Sequence, residues 1–247
     1  MLETQDLTIR FGGHVAVDRV SCTFEPGTLT AIVGPNGAGK TTWFNLISGQ
    51  LRATAGRVRL HGIDITAEGP AARTRRGIGR AFQLTQLFPG LPVRENVRLV
   101  VQSRTRLGLN LWSVWRDHRA VLDRTQHLLE QVRLEGRADQ AAGSLPHGDQ
   151  RKLEVAMLMA LEPSVFMFDE PTAGMSVDEV PVVLDLIRQL KARTDCTILL
   201  VEHKMDVVRE LADRIVVLHN GQLVADGEPD LVIASPIVQQ AYLGLAA

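Results

Sequence analysis

Short apolar runs and alternating apolar positions recur along this chain, with glycine breaks between them and helical periodicity in the intervals. Leu7, Ile9 and Phe11 alternate with polar neighbours, as in a half-buried strand that Gly12-Gly13 ends. Residues 14–24 read as a second strand and 57–60 as another, and together they predict a small antiparallel sheet beside the main core. The apolar runs 29–33, 165–168, 197–201 and 215–218 predict strands of that core, and Asn220-Gly221 is a hairpin signal into 222–225. Helical spacing is found over 42–48, closed by Gly49, and over 93–101, 118–132, 153–161, 178–191 and 205–212. The helix over 153–161 is read with Leu153, Ala156, Met157, Ala160 and Leu161 on one buried face, and that over 178–191 tolerates Pro181 in its first turn. The pattern is α/β, with an all-helical insertion between the two groups of strands.

Composition narrows this only in places. At 247 residues the chain is long enough for one large α/β domain or a core with a sizeable insertion. A net charge of -1 gives no general attraction to nucleic acid or anionic lipid. The run from Arg73 to Arg80 accordingly reads as solvated surface. Cys22 and Cys196 are too few for a disulfide framework, so they are expected to be free, buried thiols in a reducing compartment. No opening segment has a basic start and an apolar core, and no apolar run approaches bilayer length, so any membrane role is expected to come through a partner. Trp112 and Trp115 share a face of the insertion, where they either pack internally or dock another protein.

The candidate chemistry begins directly after the run 29–33. Gly34-Pro35-Asn36-Gly37-Ala38-Gly39-Lys40-Thr41-Thr42 fits G-x-x-x-x-G-K-[ST] in full and leads into a helix. Its glycines let consecutive N–H groups point at phosphate oxygens, Lys40 supplies a cation, and the Thr41 hydroxyl reaches Mg²⁺. A nucleoside triphosphate is therefore the expected ligand. Asp169 and Glu170 leave the carboxyl end of the run 165–168, where ligands bind in nucleotide folds. There Asp169 is suited to hold Mg²⁺, and Glu170 to orient and deprotonate an attacking water. His203 ends the run 197–201 in the same way and is suited to sense the γ-phosphate. By composition alone Phe11 would be a core residue.

Taken together, these motifs resemble the ATP-binding cassette (ABC) transporter ATPases over nearly the whole chain. The family's Walker A motif matches 34–42, its glutamine loop Gln83, its Walker B motif 165–169 with the catalytic glutamate at Glu170, and its switch histidine His203. The resemblance implies a P-loop core with an antiparallel β subdomain over 1–84 and 163–247, and a helical subdomain over about 85–162. It places Lys40, Gln83, Glu170 and His203 in catalysis, and Thr41, Gln83 and Asp169 around Mg²⁺. Phe11 falls at the adenine-stacking position, which replaces the core reading. Leu145-Pro146-His147-Gly148-Asp149 lies at the signature, commonly Leu-Ser-Gly-Gly-Gln, which completes the ATP site of a partner subunit. Pro146, His147 and Asp149 depart from that pattern, as does Ser176 in the following loop, where Asp is usual.

The same departures, with the ending Ala241-Tyr242-Leu243-Gly244, are similar to the ATPases of branched-chain amino acid importers and their urea-importing relatives. That similarity implies ATP and Mg²⁺ as cofactors, a second ATPase subunit (a paralogue, with a second copy of this chain as the alternative), two permeases fed by a binding protein, and a peripheral place on the cytoplasmic face of the inner membrane. The glutamine loop and the insertion would receive the permeases. Two other classes remain open on the residues: a soluble ABC ATPase acting on ribosomes or DNA, and a protein that binds ATP without hydrolysing it.

Overall fold

The computed structural model describes residues 1–81, 87–104, 118–236 and 238–239; Gln83, Trp112, Trp115 and the ending at 241–244 lie outside the described residues. In chain order the elements are β1 (Leu2–Phe11), β2 (His14–Phe24), β3 (Leu29–Val33), α1 (Lys40–Ser48), β4 (Ala55–Leu60), β5 (Ile63–Asp64), α2 (Pro70–Arg75) and β6 (Ile78–Ala81). They continue with α3 (Val93–Arg104), α4 (Arg119–Gln131), α5 (His147–Leu161), β7 (Val165–Asp169), α6 (Val180–Lys191), β8 (Thr197–Val201), α7 (Met205–Leu211), β9 (Arg214–His219), β10 (Gln222–Gly227) and α8 (Pro229–Ala234). The chain divides into two compact units: 1–80 with 164–170 and 191–247, and 81–163 with 171–190.

The first unit holds both sheets. One has the order β2-β1-β4-β5, with antiparallel pairing throughout, as the alternating pattern predicts. The other has the order β10-β9-β3-β8-β7-β6. Its centre is parallel, β3 pairing with both β8 and β9, and β8 with β7. Parallel strands covered on both faces read as continuous apolar runs, which is why 29–33, 165–169 and 197–201 are buried at every position. Alternate side chains sort the two faces. Ile32, Val216 and Leu218 join Trp43, Phe44 and Ile47 of α1 and the inner face of the antiparallel sheet. Ala31, Val33, Ile215 and Val217 instead join Val208 of α7 and Val232 of α8. The hairpin β9–β10 turns on Asn220 and Gly221, both at positive φ (48° and 77°), as a type I′ turn requires.

The basic run 73–80 corrects the expectation of a solvated surface. Thr74, Arg75 and Arg76 are exposed, but Arg73 is 2% exposed and donates to the carbonyls of Leu46, Ile47, Thr66 and Glu68. Two of those carbonyls belong to the last turn of α1, where, among the described residues, that of Leu46 otherwise accepts only a long bond from the Gly49 N–H, at 3.3 Å. Arg73 is thus a buried cap, and desolvation lowers its pKa to about 10. The side chain of Arg80, at the other end of the run, is also buried.

Both cysteines are buried and free. Burial pushes the Cys22 thiol up to about 12, against the opposing pull of Arg214. At pH 8 its thiolate fraction is then on the order of 10⁻⁴, and the thiolate is the reactive form. Iodoacetamide at pH 8 is expected to leave Cys22 of the folded chain unmodified over a time that fully alkylates it in denaturant, as peptide mass mapping would read; rapid alkylation of the folded chain would contradict this.

In the second unit α3, α4 and α5 pack on one another. Helix α5 differs from its expected form in extent and in face. It starts at His147 with Pro146 at the N-cap, and Met157 and Leu161 are only partly buried, whereas Val155, Leu158 and Met159 are buried. Asp149, Arg151, Lys152 and Glu154 are buried in it as well, and ion pairs make this tolerable: Arg137 and Lys152 bond Asp149 at 2.7 and 2.9 Å, and Arg151 bonds Glu154 at 2.8 Å. Apolar periodicity alone misplaces a helix whose charged residues are also inside. Helix α6 begins at Val180 rather than Asp178, after a turn in which the Glu179 and Val180 N–H groups both donate to the Ser176 carbonyl. The Ser176 N–H and Oγ donate to Glu179 Oε2 at 3.1 and 2.9 Å.

Candidate functional site

The glycine loop between β3 and α1 is shaped by contacts that only glycine permits. Gly34 has φ 153°, and a Cβ there would stand 2.2 Å from the carbonyl oxygen of Leu218; Gly39 has φ 98°, and its Cβ would stand 2.5 Å from that of Ala16. The loop therefore runs flush against β2 and β9. Gly39→Ala is expected to lower the melting temperature and to weaken nucleotide binding at least tenfold, since a left-handed, sterically blocked position costs roughly 1–3 kcal/mol before the loop shifts. Thermal melts with and without nucleotide would show both losses, and a variant equal to the parent in each would refute the steric reading.

Lys40 opens α1 and is 5% exposed. Its Nζ donates to the carbonyls of Gly34 (2.6 Å) and Pro35 (3.0 Å), so the ammonium is held inside its own loop. Burial lowers its pKa, and Glu170 and Asp169 pull it back up. Thr41, one residue on, is exposed.

A cavity of about 340 Å³ opens over this loop. Its walls include Asn36, Gly37, Lys40, Thr41, Glu170 and His203. The P-loop and the two strand ends singled out in the sequence thus meet at one place. Glu170 has φ 50°, a left-handed conformation rare for a side-chain-bearing residue, while its N–H extends the β7–β8 ladder by donating to Val201 at 2.9 Å. Strain of this kind persists where surrounding structure holds it, and it clusters at functional sites. The Glu170 carboxylate and His203 Nε2 are 2.8 Å apart. The loop carrying His203 is itself fixed by a residue not anticipated from the sequence. Glu202, 3% exposed, accepts the N–H groups of His203 (2.7 Å) and Lys204 (3.3 Å).

Asp169 closes β7, and its side chain is fully buried. One oxygen, Oδ2, accepts from Arg80 at 2.7 Å; the other, Oδ1, has no hydrogen-bond partner among the described residues. A buried carboxylate oxygen left bare is costly, and a hard cation or its water shell is the partner that chemistry suggests. The residues present fit Mg²⁺ in this respect: an orphaned carboxylate oxygen and an exposed hydroxyl at the start of α1.

The other sequence-predicted residues are placed as follows. Phe11 is 50% exposed at the end of β1 and is not among the residues lining the cavity. Leu145 precedes α5, Pro146 is its N-cap, and His147, Gly148 and Asp149 form its first turn in the second unit. Proline at the N-cap removes only its own N–H, so the free N–H groups of that turn remain. Gly148 is packed against the Glu179 carboxylate, whose oxygens would lie 2.1 Å from an added Cβ.

Known proteins match this arrangement along its whole length. The chain is 38% identical to the high-affinity branched-chain amino acid transport ATP-binding protein BraF of Pseudomonas aeruginosa, across 100% of this chain and 98% of that one. It is 36% identical to LivG of Escherichia coli K12, a protein of the same description, again across 100% and 98%. Among solved structures, the ADP conformation of MJ1267, an ATP-binding cassette of an ABC transporter, superposes with a TM-score of 0.83 at 31% identity over 99% of both chains. The fold is therefore the ATP-binding cassette fold expected from the sequence. A family model described as ABC transporter covers residues 17–173, from β2 through the P-loop and α5 to the residues just past Glu170. With glycine loop, lysine, the Glu170 carboxylate and histidine in one cavity and this match around them, the chain belongs to the ABC transporter family as one of its nucleotide-binding ATPases.

Proposed function

We propose that this chain is the ATP-hydrolysing motor subunit of an importer for branched-chain or related amino acids. The observation that carries the reading is the convergence of Lys40, Thr41, Glu170 and His203 on one cavity, in a chain matched end to end by BraF and LivG. The domain reading is a P-loop core over 1–84 and 163–247 and a helical subdomain over 85–162.

The chemistry follows from the residues. The N–H groups of the glycine loop and the α1 N-terminus cradle the β- and γ-phosphates, and Lys40 exchanges two carbonyl partners for phosphate oxygens. Bound Mg²⁺ supplies neutralisation of charge on the β- and γ-oxygens; Thr41, Asp169 and Gln83 are the residues that would hold it. Glu170 orients a water in line with the γ-phosphorus and takes its proton. His203, on the same carboxylate, holds Glu170 in place and senses the γ-phosphate. Phe11 stacks on the adenine. The signature at 145–149 completes the site of a second ATPase subunit by presenting the first turn of α5 to its nucleotide. ATP closes that pair and hydrolysis reopens it, which switches two permeases between their two states.

Among the described residues no helix is long and apolar enough to cross a membrane. The likeness to the transport ATP-binding proteins BraF and LivG supports a place beneath the permeases, on the cytoplasmic face of the membrane. Its expected partners are a paralogous ATPase, the two permeases and, through them, a substrate-binding protein. Purification of the tagged chain from gently solubilised native membranes should recover a second ATPase and two multi-span proteins by mass spectrometry. The associated binding protein should then bind leucine, isoleucine or valine in calorimetry. Binding of urea or an amide alone would move the substrate class, and recovery of ribosomes or DNA without a permease would overturn the motor reading.

A further inference from the structure

Arg80 is the third of the four residues of β6, and its side chain is 6% exposed, which is unusual for the last member of a basic run. Among the described residues its guanidinium is shared between two elements. On one side Nη2 donates to Asp169 Oδ2 at 2.7 Å. On the other, Nη1 donates to Asn45 Oδ1 at 2.6 Å and Ser48 Oγ at 3.0 Å, and the guanidinium carbon lies 5.4 Å from the centre of the Phe44 ring. Phe44, Asn45 and Ser48 all belong to α1, whose second residue is Thr41. Asn45 and Ser48 stand four and seven residues after Thr41, on the same face of the helix.

Among the described residues the planar fork engages Asp169, Asn45 and Ser48 at once, so it holds the Oδ2 end of the carboxylate from a set direction, which a lysine's single ammonium does not. The consequence for Asp169 is asymmetric. Oδ2 is occupied, and Oδ1, buried and bare, is left for another partner. Arg80 thereby ties the strand that carries Asp169 to the helix that carries Thr41.

We propose that Arg80 is a positioning residue for the metal end of the nucleotide site, bracing Asp169 against α1 so that Oδ1 alone is presented to Mg²⁺ or its water shell. The proposal rests on the reading of Asp169 and Thr41 as Mg²⁺ residues. It assigns Arg80 no contact with nucleotide and no part in proton transfer. A purely structural ion pair would alter stability and leave the metal requirement alone; a brace alters the metal requirement first.

The test uses the full chain with N-methylanthraniloyl-ATP as the probe, titrated by fluorescence in EDTA and then against rising free Mg²⁺. Arg80→Lys keeps a cation and loses the fork; Arg80→Met keeps length and apolar bulk and loses both. Both variants are expected to bind the probe in EDTA within about twofold of the parent and to need roughly 10–100 times more Mg²⁺ for the metal-dependent gain in affinity, as loss of an outer partner of a metal ligand does. Arg80→Met should show the larger shift, and Arg80→Lys serves if Arg80→Met does not fold. An unchanged Mg²⁺ requirement in a folded variant overturns the proposal. So does a lowered requirement, which would make Arg80 a mask of charge, and so does an equal loss of affinity with and without metal. Asp169→Asn in the same titration separates the premise from the proposal. If it leaves the Mg²⁺ requirement unmoved, the metal reading of Asp169 fails; if it shifts the requirement while the Arg80 variants do not, only the brace fails.

Discussion

Glu170→Gln is expected to bind ATP as the parent chain does and to lose hydrolysis by about 10²–10⁴-fold in the assembled transporter, the range general-base catalysis supplies. The substitution is nearly isosteric, so the left-handed turn at φ 50° and the N–H bond to Val201 need not change. An amide still bonds His203 across the 2.8 Å contact in one of the imidazole's tautomers. What it loses is the ability to take a proton from water. The effect should therefore fall on turnover, with affinity for a fluorescent ATP analogue intact. Phosphate release from the reconstituted complex, measured beside equilibrium binding, separates the two. Parent-like turnover would remove Glu170 from the base role; a matching loss of affinity would mean that the strained turn, rather than the proton, had been disturbed.

How much of this was legible beforehand varies with the range of the interactions involved. The P-loop could be read in full because its requirements are local: glycines where the backbone must approach Leu218 and Ala16, and a lysine and threonine at fixed offsets. The strands of the large sheet were legible because burial on both faces leaves only apolar residues in a run. The hairpin at Asn220-Gly221 was legible because its turn demands positive φ twice in succession. Arg73 and Arg80 were not legible as buried residues. Their partners include carbonyls 26 and 27 positions upstream for Arg73 and a carboxylate 89 positions downstream for Arg80, and charge in a sequence says nothing about distant partners. The start of α5 was misplaced for a related reason, since its buried Asp149 and Lys152 look like solvent-facing residues until Arg137 and the helix spacing bring their charges together. Two signals were present and unused. One is Glu179, an acid three residues after Ser176 that accepts from that serine's N–H and hydroxyl in the turn ahead of α6; the other is Glu202, which accepts the N–H groups of His203 and Lys204 just before α7.

Lys40→Ala is expected to weaken ATP binding itself by roughly 10–100-fold, because a charge-assisted hydrogen bond is worth about 1.5–3 kcal/mol and each 1.4 kcal/mol is tenfold in affinity. The geometry of the loop sets the sign. The ammonium rests on the Gly34 and Pro35 carbonyls at 2.6 and 3.0 Å, in a place where burial already disfavours its charge. Triphosphate gives it anionic partners in exchange for neutral ones, so the gain on binding is large and is lost with the side chain. The variant also leaves two carbonyls without that donor, yet both belong to a loop beside an open cavity, where water can replace it, so the fold should survive. Titration with the fluorescent analogue should thus show a large affinity loss in a chain whose melting temperature without nucleotide is close to the parent's. Because Glu170 is untouched, whatever ATP the variant holds at saturation tests a separate point: if turnover per bound nucleotide also falls, Lys40 acts on the charge that develops as the γ-phosphate leaves as well as on the ground state. Unaltered affinity would count against the phosphate assignment of the loop, and with it the reading of the whole cavity.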